Sequence, residues 1–230
     1  LPQKLIEESP GMNEIRWKTL GPEGLRFFGK VCADLSHEIK NSLATINEQN
    51  GLLDDFLTMA EQGAPLDPVR IHKITRAVAG HVERANKVVN KLNRFAHSVD
   101  HSRRQVELDV LVRQACELYE RPAAIKGVVL TPESLQQGIN IRTNPFLLQQ
   151  LLLICFEHAS ARPSPDSTMS VVVERTPGHA LISMTGSGPD ASPVLDELLD
   201  ELEAGITGDA DGTWFRIRIP LKVDAEHVSA

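Results

Sequence analysis

The chain has 230 residues, 41% apolar and 24% charged, which is enough apolar mass for a buried core in one or two modest domains and excludes a disordered chain. A net charge of −7 excludes a nucleic-acid binder that works through phosphate contacts, because that needs a basic surface. No apolar run approaches the roughly 20 residues of a membrane helix, and no charged-then-apolar leader opens the sequence. The first residue is Leu1, not Met, as expected of a fragment, and a further domain ahead of it is left open. Cys32, Cys116 and Cys155 lie far apart with no CxxC pair. A disulfide framework and a zinc cluster are therefore not expected, and the thiols read as small buried apolar groups of a reducing, cytoplasmic compartment.

In chain order, residues 1–22 contain Pro2, Pro10, Gly11, Gly21 and Pro22 and read as a loose lead-in. Two long helical patterns follow within residues 23–102. Phe28, Val31, Leu35, Ile39, Leu43, Ile46, Leu53 and Leu57 recur mostly at three- and four-residue steps, and so do Ile71, Ile74, Val78, Val82, Ala85, Val89, Leu92 and Phe95. Such stripes predict amphipathic helices. The segment Gln62 to Pro68 between them is rich in breakers and predicts a turn. Each helix is about 30 residues or longer, well above the usual length. A lone hairpin of that size cannot bury both stripes, whereas pairing two hairpins into a four-helix bundle can, so the pattern predicts a homodimer.

The pattern changes in residues 103–222. Gln105 to Asp109, Val128 to Thr131 and Ile139 to Arg142 read as short strands, the first two flanking a helix from Leu111 to Lys126. Asn144 is a candidate N-cap for a helix over Pro145 to Ala161, with proline at the first helical position. Met169 to Arg175 and Ala180 to Thr185 alternate as a hairpin around Thr176 to His179. Ser192 to Glu203 reads as a helix, and Thr213 to Leu221 alternates again, with Phe215, Ile217 and Ile219 on one side. This predicts an α+β layer with helices on one face of a mostly antiparallel sheet. Residues 223–230 form a tail with no pattern.

The stretch Leu35-Ser36-His37-Glu38-Ile39-Lys40-Asn41-Ser42-Leu43 carries the chemistry. Alone, a His-Glu pair on a helix reads as an ordinary surface pair, and it lacks the second His of a zinc protease motif. In the first of two long helices, ahead of an α+β domain, it resembles the H-box of two-component sensor histidine kinase transmitters, and the resemblance runs from about Leu25 to Leu221. That family implies a dimeric helical hairpin followed by an α/β sandwich of the kinase ATP-binding type. His37 lies off the stripe of Leu35, Ile39 and Leu43, so its ring can reach a docked partner. A neutral imidazole nitrogen is a competent nucleophile near neutral pH and forms a phosphoramidate that can pass its phosphoryl on. Glu38 can accept a proton or orient the ring. Asn41, one turn beyond His37 on the same face, is placed where the family positions a water. Ser36, Lys40 and Thr45 complete the expected docking face for a receiver. Ser42 stands where the family usually has proline, so a softer kink is expected.

The second domain resembles the ATP-binding domain of the same family, with its ligands replaced. Asn144 to Ala159 is similar to the N-box helix, but Ile154 and His158 stand where the family has asparagines for magnesium and phosphate. Met184-Thr185-Gly186-Ser187-Gly188 keeps both glycines of an Asp-x-Gly-x-Gly box and puts Met184 in place of the acid that recognises adenine. The glycine-rich lid is missing, and the segment before Gly212 is short and acidic, with Asp196, Glu197, Asp200, Glu201 and Glu203. The resemblance therefore points to ATP-independent histidine phosphotransfer between the Asp residues of response-regulator receivers, with no cofactor of its own and magnesium supplied by the receiver. Three other readings stay open: an ATP-dependent kinase core phosphorylated on His37, a non-catalytic receiver-binding module, and a phosphatase working through Glu38 and Asn41.

Overall fold

A computed structural model describes residues 10–162, 166–209 and 211–221, with side chains from residue 18 onward. The expected tail, 223–230, and the first residues of the lead-in lie outside them. The chain divides into two compact units, residues 28–97 and the remainder, with the boundary between Phe27 and Phe28.

The helical unit is the expected hairpin. Helix α1 spans Pro10–Glu61 and α2 spans Pro68–Ala96, followed by a short 3-10 turn at His97–Val99. The lead-in reading is corrected here, since the helix already begins at Pro10 and passes through Gly21 and Pro22. Proline inside a helix forfeits one backbone hydrogen bond; on either side of it Leu20 packs against the α/β core, Gly24 lies against the Phe146 ring and Phe27 packs on the same ring. Helix α2 starts as its sequence dictates. The Asp67 carboxylate accepts from the backbone N–H groups of Val69 at 2.9 Å and Arg70 at 3.5 Å, with Pro68 at the first position. Asp67→Ala should cost about 1 kcal/mol, read as a lowered midpoint in urea denaturation.

The helices run antiparallel. The Phe28 ring stacks on Phe95 with centroids 5.4 Å apart, and at the other end Arg70 lies over the Phe56 ring. Val31, Leu35, Ile74, Val88 and Phe95 are buried between them. Ser42 is buried in the same seam, and Leu43, placed on the inner stripe by its spacing, is 50% exposed instead. Leu52, Leu57, Met59, Val82 and Val89 are exposed as well. Leu52/Met59 and Val82/Val89 are seven apart, the spacing of a helix seam, so each helix carries a second apolar face that a single hairpin leaves open.

The α/β unit contains a five-stranded sheet in the order β2-β4-β5-β7-β6 and a separate antiparallel pair, β1 with β3. The strands are β1 Arg104–Glu107, β2 Val129–Leu135, β3 Asn140–Thr143, β4 Thr168–Thr176, β5 His179–Thr185, β6 Gly205–Gly208 and β7 Trp214–Pro220. The helices are α3 Leu108–Ile125, α4 Pro145–Ala161 and α5 Pro193–Leu202. Among the described residues only β2 with β4 is parallel; β2 is an edge strand, contains Pro132 and shifts register between Pro132 and Ser134.

Strand alternation sets the layers. Met169, Val171 and Val173 on β4, Ala180, Ile182 and Met184 on β5, and Phe215, Ile217 and Ile219 on β7 enter one core with Leu108, Val112, Leu148, Leu151, Phe156 and Leu198 of the helices. The residues between them, such as Arg216 and Arg218, stay on the uncovered face. This is the expected α+β sandwich. Helix α4 is capped by the Asn144 side chain, which accepts from Phe146 and Leu147 N–H groups at 3.1 and 3.2 Å. Its buried Ser160 hydroxyl donates to the Glu157 carbonyl, so the Tyr119 hydroxyl, 2.6 Å away, donates to Ser160 and closes α3 onto α4. Several boundaries differ from the sequence reading, and β2 runs on to Leu135 instead of ending at Thr131. Residues 108–109 open α3 rather than closing β1, although the Leu108 N–H still bonds to the Ile139 carbonyl one step beyond the β1–β3 ladder. The short strand β6, with glycine at both ends, has too little alternation to be read.

Candidate functional site

His37 sits on α1 with its side chain exposed. The face around it is set by the helix period: Lys40 and Asn41 follow at the next turn and are exposed, and Ser36 is exposed beside it. Thr45, two turns on and partly buried, donates its hydroxyl to the Asn41 carbonyl at 3.1 Å, a local bond that fixes the rotamer of that side chain. Leu35, two residues back and on the inner side, is buried at 3% exposure, and Ile39, one turn beyond Leu35, is partly buried, so the seam beneath this face is anchored. Glu38 is partly buried and, as the immediate neighbour, diverges from His37 by about 100° around the helix. Ser36, His37, Lys40 and Asn41 therefore share one outward surface, whereas Glu38 reaches the ring only by leaning around the helix.

In the α/β unit the sequence-predicted nucleotide positions converge. Ile154 and His158 lie one turn apart on α4, both partly buried, and His158 Nδ1 is 3.1 Å from the Ile154 carbonyl oxygen. Gly186 adopts φ +111°, a conformation that favours glycine, and a Cβ there would come 3.1–3.3 Å from Ala159. Its N–H bonds to the Thr213 carbonyl at 2.8 Å. A Cβ on Gly188 would meet Phe215 at 3.4 Å. The two glycines are thus explained by close packing of the turn against α4 and β7. Gly186→Ala should cost about 1–3 kcal/mol from the backbone conformation alone, read in a denaturation curve. Sequence reasoning missed Ala159 and Phe215 as the partners of this turn. The inward alternation of β7 is the signal that marks Phe215, and nothing in the sequence marks Ala159.

Where the resemblance would place contacts to magnesium and nucleotide, this chain has side chains of other kinds. Ile154 offers no oxygen donor, which magnesium requires. Met184 is 1% exposed and belongs to the apolar core, so it presents nothing to a base. Helix α5 buries Leu195, Leu198 and Leu202, and its outer positions carry the acids Asp196, Glu197, Asp200 and Glu201. Like charge there opposes a triphosphate. Among the described residues no group of acids, histidines and cysteines could hold a metal ion, and no helix is long and apolar enough to cross a membrane. The cysteines are free; burial pushes the Cys116 thiol up to about 12 and raises Cys155 as well, so both remain protonated.

No protein-family model matches the chain. In sequence it is similar to the sensor histidine kinase ZraS of Klebsiella oxytoca, 24% identical over 215 residues, which is 93% of this chain and 44% of that protein. The chain thus spans less than half the length of the curated relative it matches. Among solved structures it is similar to the Acinetobacter baumannii histidine kinase AdeS, at 14% identity and TM-score 0.44, covering 81% of this chain and 98% of that one. It is also similar to the histidine kinase ThkA in complex with the response regulator TrrA, at 14% identity and TM-score 0.42, covering 94% and 68%.

Proposed function

We propose that this chain is the transmitter core of a two-component system, with His37 as the group that carries phosphoryl, and that a receiver rather than ATP supplies it. The observation that carries the first part is an exposed imidazole in a His-Glu pair, on a long hairpin related in sequence to sensor kinases. In the step, an imidazole nitrogen forms an N–P bond as the O–P bond of a receiver's aspartyl phosphate breaks. The Asp carboxylate leaves, and the ring gives up the proton on its other nitrogen to Glu38 or water. The receiver brings its own magnesium, and catalysis consists of positioning and charge neutralisation, to which Lys40 contributes. Asn41, on the same face, holds the water if hydrolysis competes. The exposed seam residues Leu52, Met59, Val82 and Val89 support a homodimer that pairs two hairpins.

The source of phosphoryl has a second reading. The sequence relationship is to a sensor kinase and favours autophosphorylation from ATP. Ile154, the buried Met184 and the acidic α5 favour the receiver, because each removes a different contact that ATP needs. One experiment separates these. The full chain is mixed with labelled ATP and magnesium, and separately with a labelled phosphorylated receiver. Label on His37 from the receiver alone is expected. Label from ATP overturns the ATP-independent part and keeps His37 as carrier; label from neither overturns both.

A further inference from the structure

The helices of the α/β unit lie on one face of its sheet, and β7 arms the other. Phe215, Ile217 and Ile219 enter the core, which turns Trp214, Arg216 and Arg218 outward, all three exposed. The Arg216 guanidinium lies over the Trp214 ring, 4.4 Å from its centroid, which holds the cation beside the aromatic face. Arg218 stands two residues further along the strand, a step of about 7 Å. Neither arginine forms an ion pair with a described residue.

The acids that answer them are on the opposite side of the sandwich. Leu195, Leu198 and Leu202 fix α5 to the core. Asp196 and Asp200, one turn and about 6 Å apart, stand exposed on its outer stripe. Arg103 already binds the Glu201 and Glu203 carboxylates, at 3.2 and 3.4 Å. The Asp196 and Asp200 carboxylates have no partner among the described residues. The core separates the two pairs, so one molecule cannot join its own arginines to its own aspartates.

We propose that the outward face of β7 is a docking surface for α5 of a second copy of this chain, with Arg216 and Arg218 set against Asp196 and Asp200 and Trp214 as the apolar anchor. The two spacings match, the charges are opposite, and tryptophan and arginine are the side chains that carry most energy at interfaces. A helix of 10 residues is about 15 Å long. It covers too little for a permanent interface, so the contact is weak and leans on its ion pairs. The patches are unlike, so copies add head to tail. The contact uses neither His37 nor the apolar seams of the hairpin.

Sedimentation equilibrium on the full chain tests it. In low salt the average mass should rise with concentration above its value in about 0.5 M salt, where charges are screened within a few ångströms. Apolar pairing of hairpins survives that salt and does not mimic the effect. Arg216→Glu with Arg218→Glu should weaken the salt-sensitive association at least about tenfold, and so should Asp196→Lys with Asp200→Lys. A chain carrying all four changes keeps the net charge of −7 and should recover most of the association. That recovery also shows that the paired changes did not act by unfolding the domain. A parent with no salt-sensitive association overturns the proposal, and so does a four-change chain that stays as weak as the paired variants.

Discussion

Replacing His37 with Gln should lower the proposed phosphoryl carriage by at least about a thousandfold, as expected when a covalent nucleophile is deleted. The fold should not suffer. The ring is exposed, glutamine is a good helix former, and surface substitutions away from caps and cores change stability by less than about 0.5 kcal/mol. Acid-labile label from a phosphorylated receiver is the direct readout, with circular dichroism and a urea midpoint to show that the hairpin is intact. A His37→Gln protein that still takes up acid-labile label places the acceptor elsewhere. A protein that keeps its full effect on the receiver after losing label makes the chain a binder rather than a carrier. Glutamine suits this test better than alanine because it keeps bulk and polarity on the docking face while removing the nucleophilic nitrogen.

Met184→Asp, which restores the acid of the box, should not restore nucleotide binding and should destabilise the α/β domain by about 3–5 kcal/mol. Met184 is 1% exposed, sits on β5 opposite Val171 and Phe215, and points into the core shared with the helices. A carboxylate there loses its hydration with no described cation in the apolar cluster to replace it, one of the few mechanisms by which a single residue costs that much. Chemical denaturation measures the loss, and titration with a fluorescent ATP analogue measures any gain. A stable Met184→Asp protein that binds the analogue would reverse the account of this position and favour the ATP-dependent reading.

The long helices, the α+β order and the capped α4 were legible because each rests on a local rule: an apolar period, an alternation, or an Asn-Pro entry. His37 was legible for the same reason, since a polar ring between Leu35 and Ile39 must leave the seam. Leu43 and Ser42 were not, because a long helix drifts against a fixed spacing and the buried position moves by one residue. The start of α1 was misread because Gly21 and Pro22 are local breakers, while the packing of Leu20, Gly24 and Phe27 that overrides them is tertiary. The glycines of the Thr185–Gly188 turn were legible as a motif only. Their physical use depends on Ala159 and Phe215, which are remote in sequence.

The irregular strand β2 has a consequence for how this protein behaves in a crowded solution. A strand at the rim of a sheet offers its unpaired amides to any passing chain. Here Pro132 lacks an amide hydrogen, and the ladder slips one position beside it, so the rim cannot present a continuous row of donors. Copies of the sandwich are thereby discouraged from zipping rim to rim into fibrils along this side, although the Val129 side chain beside it is 63% exposed.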